Sequence, residues 1–363
     1  MPNFIVSPCG TSLLTGGANN QVRSLISKYA NYKYLEEIDQ RDRTVLLNRI
    51  SEVRDVILKL SPKDIVRYSA ELNALVKYYN GILKQEDYHF LLCTDTFLGE
   101  QTATMIKEWL EKNNITNVQL YRQKDLQTDN IEAFQLALSE LVDTFDRMLP
   151  GYKEKNFHIV FNLTGGFKSV QGFLQAIGMF YADEIIYIFE SGSSLLKIPK
   201  LPVKIDTQGV IEQNITLFRQ LELRLITCND AKVLPEIFIT CFEEDVDFSP
   251  WGKIAWLRAK DSLYQKKLWP EPTNKIKFSE KFKKQINKLS SDKIREINIR
   301  VDDLALALAG NEKKLNRLRF KQIKGKPKDK SDYEFYAFTG TDKRCYGHFE
   351  EEVFVIDELG EHL

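Results

Sequence analysis

The sequence predicts an α/β domain built on a mostly parallel sheet, a small middle segment, and an α+β domain with an antiparallel sheet. Three observations lead there. Over roughly the first 200 residues, short apolar runs alternate with helix-length amphipathic stretches, the pattern of a parallel sheet covered on both faces. After residue 205 that alternation stops, and Pro270 and Pro272 mark a loop. Beyond them, two helical stretches precede four short strand-like runs separated by turns. The expected divisions are 1–205, 206–272 and 273–363. A length of 363 residues suits two or three cores, and 43% hydrophobic with 28% charged residues excludes a disordered chain.

In order, "NFIVS" is a buried strand running into the loop "PCGTSLLTGG", followed by helical stretches near 20–30, 43–59 and 62–83. "YHFLLCTDT" and "NVQLYR" are the second and third strands, separated by the helix "LGEQTATMIKEWLEKN". "NIEAFQLALSELVDTFDRML" is a helix, "NFHIVFNLTGG" the fourth strand, "FKSVQGFLQAIGMFYA" its helix and "EIIYIFES" the fifth strand. In the middle segment, small and helical or winged-helix-like, Phe248, Trp251 and Trp256 read as packing residues. The last block gives a strand and a helix in "IKFSEKFKKQINKLS" and a second helix in "SDKIREINIRVDDLALALAG". Its strands are "RLRFKQIKG", "YEFYAFTG", "KRCYGHF" and "EEVFVIDEL".

The five cysteines are scattered, with no C-x-x-C and only four histidines, so neither a metal centre nor a disulfide framework is expected. No basic leader and no membrane-length apolar run is evident, which makes a cytoplasmic protein without a membrane partner the default. The zero net charge hides an asymmetry. Thr273 to Lys330 holds 18 Lys and Arg against 7 Asp and Glu, whereas Ser331 to Leu363 holds 2 against 9. A basic stretch of that density suits a phosphate backbone or a solvated helical surface.

Ligands of parallel sheets lie beyond the carboxyl ends of the strands, where "SPCGTSLL", "CTDT" and "NLTGGFKS" sit. A double-glycine turn at a helix start can hold an anion on backbone N–H groups. Gly165 and Gly166 form such a turn, with Phe167 next to them, Lys168 as a point charge and Thr164 and Ser169 as hydroxyls. In the first loop, Gly10 permits close approach and Thr11 and Ser12 present hydroxyls. Asp95, Thr96 and Arg122 are weaker candidates. Neither G-x-x-x-x-G-K-[ST] nor G-x-G-x-x-G is present, which lowers the weight of ATPase and dinucleotide-oxidoreductase readings.

"VSPCGTSLLTGG" together with "NLTGGFKSVQGFLQAIGMFYADEIIYIFE" resembles the CRISPR-associated Rossmann-like (CARF) domains, in the branch opening with G-T-S-L-L, over about residues 1–200. The resemblance implies a homodimer that binds a cyclic oligoadenylate, usually cyclic tetra-adenylate, across its two-fold axis. Some members of that branch are ring nucleases. In those members the positions of Ser12 and Lys168 matter for hydrolysis, without a cofactor or metal.

In the basic block, metal-independent RNA cleavage needs charge stabilisation at phosphate and proton exchange. Arg319, Lys321 and Lys324 in "RLRFKQIKGK" and Arg344, Tyr346 and His348 in "RCYGHF" supply those side-chain types. Strand alternation puts Arg344, Tyr346 and His348 on one face with Cys345 opposite, and likewise pairs Arg319 with Lys321. His348 is the expected acid or base, ranked above the near-terminal His362. This block resembles the RelE/ParE toxin superfamily over about 274–363, whose ribonuclease members cleave messenger RNA, commonly in the ribosomal A site. Many relatives carry an arginine where this chain has Tyr336.

Together, these readings give a type III CRISPR accessory effector in which a cyclic oligoadenylate activates mRNA cleavage by the C-terminal domain. A ring nuclease, or a non-catalytic regulator that binds nucleic acid or the ribosome, is the rival expectation.

Overall fold

The computed structural model describes residues 1–188, 194–200, 207–323 and 330–362. It resolves into two compact units, Met1–Lys204 and Ile205–Leu363.

The first unit carries β1 (Asn3–Pro8), β2 (Tyr88–Cys93), β3 (Val118–Arg122), β4 (His158–Asn162), β5 (Glu184–Ile188) and β6 (Leu195–Pro199). The sheet order is β3-β2-β1-β4-β5-β6. β1 to β5 run parallel, while the unforeseen edge strand β6 runs antiparallel to β5.

Parallel strands buried on both faces need apolar residues at consecutive positions, which is why the five predicted runs were legible. Ile5, Leu91 and Val160 pack with Ile26, Ile50 and Trp109 of three helices on one face. On the other, Phe4 meets Phe90, and the helix residue Phe145 lies against Phe90, Phe161 and Tyr181. β2 follows β1 on one side and β4 lies on its other side, so the order reverses at β1/β4. The loops leaving those two strands therefore flank a crevice.

The N-terminal ends of the strands are tied by a buried polar network. The Asp87 carboxylate accepts from the backbone N–H of Asn3 at 2.7 Å, its side-chain amide at 2.6 Å and the Tyr79 hydroxyl at 2.6 Å. Beside it, His89 is fully buried, and burial lowers its pKa to about 4. Between pH 4 and 6.5 the unfolded imidazole binds more proton than the folded one, so stability rises with pH there and is lost on acidification. This histidine should account for about 3 kcal/mol of lost stability as pH falls across that window. Urea titrations at several pH values should show a shallower acid slope for His89→Gln than for the parent; equal slopes would refute the assignment.

The second unit begins with short helices that include Ile215–Leu223, then the hairpin β7 (Ile239–Phe242) and β8 (Asp245–Phe248), then the helix Pro250–Lys266. Ser249 caps that last helix by accepting from Gly252 N–H at 3.0 Å, with Pro250 at its first position. Phe218, Phe248 and Trp256 are fully buried together, while Trp251 is half-buried. Cys228 and Cys241 form a disulfide, Cα to Cα 5.5 Å, contrary to the expectation from scattered cysteines. Chain spacing hid the pair, because the short helix Cys228–Ala231 docks on the hairpin, where Cys228 N–H donates to the Glu244 carbonyl at 2.8 Å and its sulfur meets Cys241 of β7.

β9 (Ile276–Phe278), β10 (Lys321–Gln322), β11 (Tyr333–Tyr336), β12 (Lys343–Glu350) and β13 (Val353–Glu361) form a second sheet ordered β10-β11-β12-β13-β9. It is antiparallel except where β9 runs parallel to β13. The predicted strand "RLRFKQ" is mostly otherwise: Glu312–Leu318 is a helix, and Arg319 ends it in the left-handed conformation, φ 48°.

The middle segment and this sheet share one unit through a buried charge network. Arg219 Nε donates to Asp302 Oδ1 at 2.8 Å, its Nη1 donates to the Pro270 carbonyl, and the Tyr264 hydroxyl donates to the other Asp302 oxygen. Three helices, Ile215–Leu223, Pro250–Lys266 and Ser291–Leu308, meet there. Among the described residues no helix is long and apolar enough to cross a membrane.

Candidate functional site

The loops leaving β1 and β4 enclose a cavity of about 830 Å³. Gly10, Thr11 and Ser12 line it from the first loop, and Thr164, Gly165, Gly166, Phe167 and Lys168 from the second. Gln171, Tyr187, Ile188, Ala70 and Asn73 complete the wall.

Lys168 is the first residue of the helix Lys168–Tyr181, whose start has no side-chain cap. Its uncapped N–H groups and the lysine charge favour an anion at the same place. Ser12 is exposed at the start of the short helix Ser12–Thr15. Thr164 Oγ1 accepts from Ile188 N–H at 3.2 Å, which ties the loop to the end of β5.

The residue that organises both loops, Glu71, was not among the sequence candidates. Its side chain is fully buried, and Oε1 accepts from Gly10 N–H at 3.0 Å. Gly166 N–H and the Ser69 hydroxyl also bond this carboxylate, the latter at 2.9 Å. Burial raises the pKa of the Glu71 carboxyl, against the lowering by these hydrogen bonds.

The glycines are explained by the same contact. A Cβ on Gly165 would lie 2.1 Å from Glu71 Oε1, and Gly166, at φ +98°, presses on Pro8. Gly10 would place a Cβ 3.0 Å from Gly166 Cα, so the two loops are interlocked. The turn therefore serves close packing as well as exposing N–H groups.

Other candidates lie elsewhere. Asp95, Thr96 and Arg122 do not line the cavity. Arg122 Nε donates to Asp95 Oδ1 at 2.8 Å, its Nη1 to Glu100 at 2.6 Å and its Nη2 to the Lys33 carbonyl at 2.8 Å. Lys33 also pairs with Asp95 at 2.5 Å. Thr96 caps the helix Phe97–Lys112. Asp95 and Thr96 follow β2 as expected, whereas Arg122 is the last residue of β3 and not beyond it, and the Asp95 and Arg122 charges are committed to one another. Ser169 is exposed and is not part of the cavity wall.

In the second unit, Arg344 and Tyr336 are register partners on β12 and β11. The Arg344 guanidinium lies 3.6 Å from the centre of the Tyr336 ring, and Arg319 Nη1 donates to the Tyr336 hydroxyl at 3.2 Å. Arg300, Arg317, Arg319, Tyr336 and Phe338 line a cavity of about 460 Å³. Asp342 belongs also to a neighbouring one of about 410 Å³ lined by Arg344, Glu361 and His362. Arginines thus converge on one tyrosine. Sequence reasoning missed Tyr336, Arg300 and Arg317, because they come from a strand and two helices that only the fold brings together.

The expected convergence of Arg344, Tyr346 and His348 does not form. Tyr346 is fully buried and its hydroxyl donates to the Glu361 carbonyl at 2.6 Å. A bulge between Tyr346 and Gly347 leaves Asp357 unpaired on β13, and its carboxylate meets His348 Nδ1 at 2.7 Å. His348 Nε2 is 3.3 Å from Glu350, so this imidazole sits between carboxylates and not beside Arg344. His362, ranked lower in the sequence, is the histidine that shares a cavity with Arg344. Arg319 is a helix cap and does not share a strand face with Lys321, which pairs with buried Glu334 at 3.1 Å. Cys345 is buried in the core, as alternation implied. Lys324 lies outside the described residues.

Part of the charge asymmetry is internal. Acidic residues of 331–363 pair with basic residues of 273–330 at Lys321–Glu334, Lys330–Asp357 and Lys281–Glu358. What remains around Tyr336 is the concentrated arginine group.

Residues 66–201 match the family model described as CRISPR-associated protein (Cas_APE2256), which supports a CRISPR-associated protein. No curated protein matches the chain.

Proposed function

We propose that the chain is a ligand-gated ribonuclease of type III CRISPR defence. Its CARF-like, Rossmann-like first domain binds a cyclic oligoadenylate, preferably cyclic tetra-adenylate, as a homodimer. The RelE-like second domain then cleaves messenger RNA. The observation carrying this reading is the cavity at the β1/β4 reversal, where two interlocked glycine loops and Lys168 offer an anion site, the second loop and Lys168 lying within the stretch that matches the CRISPR-associated family model. The arginines around Tyr336 support the second half, because stacked and forked guanidinium groups suit phosphate and bases.

In the cleavage step the ribose 2′-oxygen attacks the adjacent phosphorus as the P–O5′ bond breaks. A proton leaves the 2′-hydroxyl and one is delivered to O5′, giving a 2′,3′-cyclic phosphate and a 5′-hydroxyl. Arg344 and Arg319 stabilise the charge on the phosphate oxygens. His362, which lines the Arg344 cavity with its Nε2 3.6 Å from the Glu334 carboxylate, is assigned the proton exchange in this reading. Gating requires that the ring bind the active state more tightly than the resting state.

A second reading, ring cleavage in the first domain, is favoured by one observation: Ser12 and Lys168 line the same cavity. One experiment separates the two. Purified protein is incubated with translating ribosomes and labelled messenger RNA, with and without cyclic tetra-adenylate, while RNA ends and ring integrity are followed together. Ring-dependent cuts are expected, and Lys168→Ala should abolish the cuts that the ring induces. Cuts of equal yield without the ring would refute gating. Linearised ring without RNA cuts would make this a signal-terminating enzyme, and ring-dependent RNA binding without new ends a non-catalytic regulator.

A further inference from the structure

We infer that Asn73 is the base-reading residue of the first cavity and selects adenine through its side-chain amide, an inference that rests on the nucleotide reading above. Asn73 belongs to the helix Ala70–Tyr78, and its backbone N–H is held by the Ser69 carbonyl at 2.9 Å. The residue lines the cavity, yet its Oδ1 is shut from solvent with no hydrogen-bond partner among the described residues. Buried acceptors left open are costly and rare in folded proteins. Turning the side chain into the cavity would bring this oxygen to a ligand donor and satisfy it.

Neighbouring polar groups are committed. Gln171 donates its amide hydrogens to the Leu163 and Gly165 carbonyls at 3.2 and 2.7 Å. The Asn162 amide serves Ser7 Oγ and the Glu71 carbonyl, and the Glu71 carboxylate holds the loop N–H groups. Asn73 is therefore the amide on this wall left for a ligand. Lys168 and the uncapped helix start supply the anion-binding end of the cavity, so Asn73 is left for the base.

Adenine presents a donor, N6–H, beside an acceptor, N7, and a carboxamide matches that pair with two hydrogen bonds. A 6-oxo purine presents two acceptors on the same edge. It would put oxygen against the already unpartnered Oδ1 and is rejected. The assignment does not depend on which way the amide is turned, because either orientation offers one donor and one acceptor.

The test is equilibrium binding of the full chain to cyclic tetra-adenylate and cyclic tetra-inosinate, which differ in the 6-substituent of the purine. The parent should prefer the adenylate ring by about tenfold or more. Asn73→Leu should lose that preference by weakening the adenylate ring alone, with inosinate affinity unchanged, a pattern that a merely structural role would not produce. If Asn73→Leu fails to fold, Asn73→Ala decides, since it removes both the donor and the acceptor of the amide without adding bulk. Retained preference, or equal weakening of both rings, overturns the role of Asn73 while leaving the nucleotide reading intact. A parent protein that binds neither ring overturns the nucleotide reading and this inference with it.

Discussion

An Arg344→Ala protein is expected to form new RNA ends about 10²- to 10³-fold more slowly than its parent, the usual cost of removing one preorganised donor from a developing phosphate charge. Arg344 is buried, 5% exposed as a residue, and its guanidinium is fixed by its stack on Tyr336, with Nη1 donating to the Lys343 carbonyl at 3.2 Å. It therefore needs little rearrangement to meet a phosphate, and it acts where water is scarce. Arg344→Lys keeps the charge but loses the fork and the planar stack, so an intermediate rate is expected. His348→Ala should change the rate little, because that imidazole is paired with Asp357 and Glu350. RNA-end mapping over time, with thermal melts as a folding control, checks all three. An Arg344→Ala protein that cuts at the parental rate would remove this arginine from the mechanism.

Arg219→Ala should cost about 3–5 kcal/mol in the second unit, because it strands the buried Asp302 carboxylate. Asp302 would keep the Tyr264 hydroxyl but lose its counter-charge, in surroundings where burial already raises its pKa. For a unit of this size that loss corresponds to a melting temperature lower by roughly 10 °C or more. Calorimetry of the full chain should show it. Replacing both partners, as Arg219→Met with Asp302→Leu, should recover much of the loss, since apolar isosteres need no pairing. A single variant that melts with the parent would show that the pair is not holding the helices together.

The first sheet was legible because its buried strands read as unbroken apolar runs, and the glycine turn pointed to the right end of the strands. Glu71 was not legible. Within "SAELNALVKYY" an acidic residue reads as a solvated helical position, and only the fold places it beneath Gly165. Arg122 and Asp95 have the right types and position for a ligand, but their mutual pairing is a tertiary fact. In the second unit, alternation in "RCYGHF" correctly sent Cys345 to the core, yet could not foresee the bulge that gives His348 its own carboxylate. "RLRFKQ" also alternates like a strand, although a left-handed cap at Arg319 separates helix from strand. Tyr336 gained meaning only when its register partner, Arg344, was known.

The contact between Glu71 and Gly165 also bears on how this sequence can diverge. A side chain at position 165 would occupy the space of the carboxylate, while a shorter residue at 71 would leave Gly10 and Gly166 without their shared acceptor. Neither position can drift alone. Lineages that descend from this fold should change the two together or not at all, so that a helix residue and a loop glycine 94 positions apart are inherited as one character.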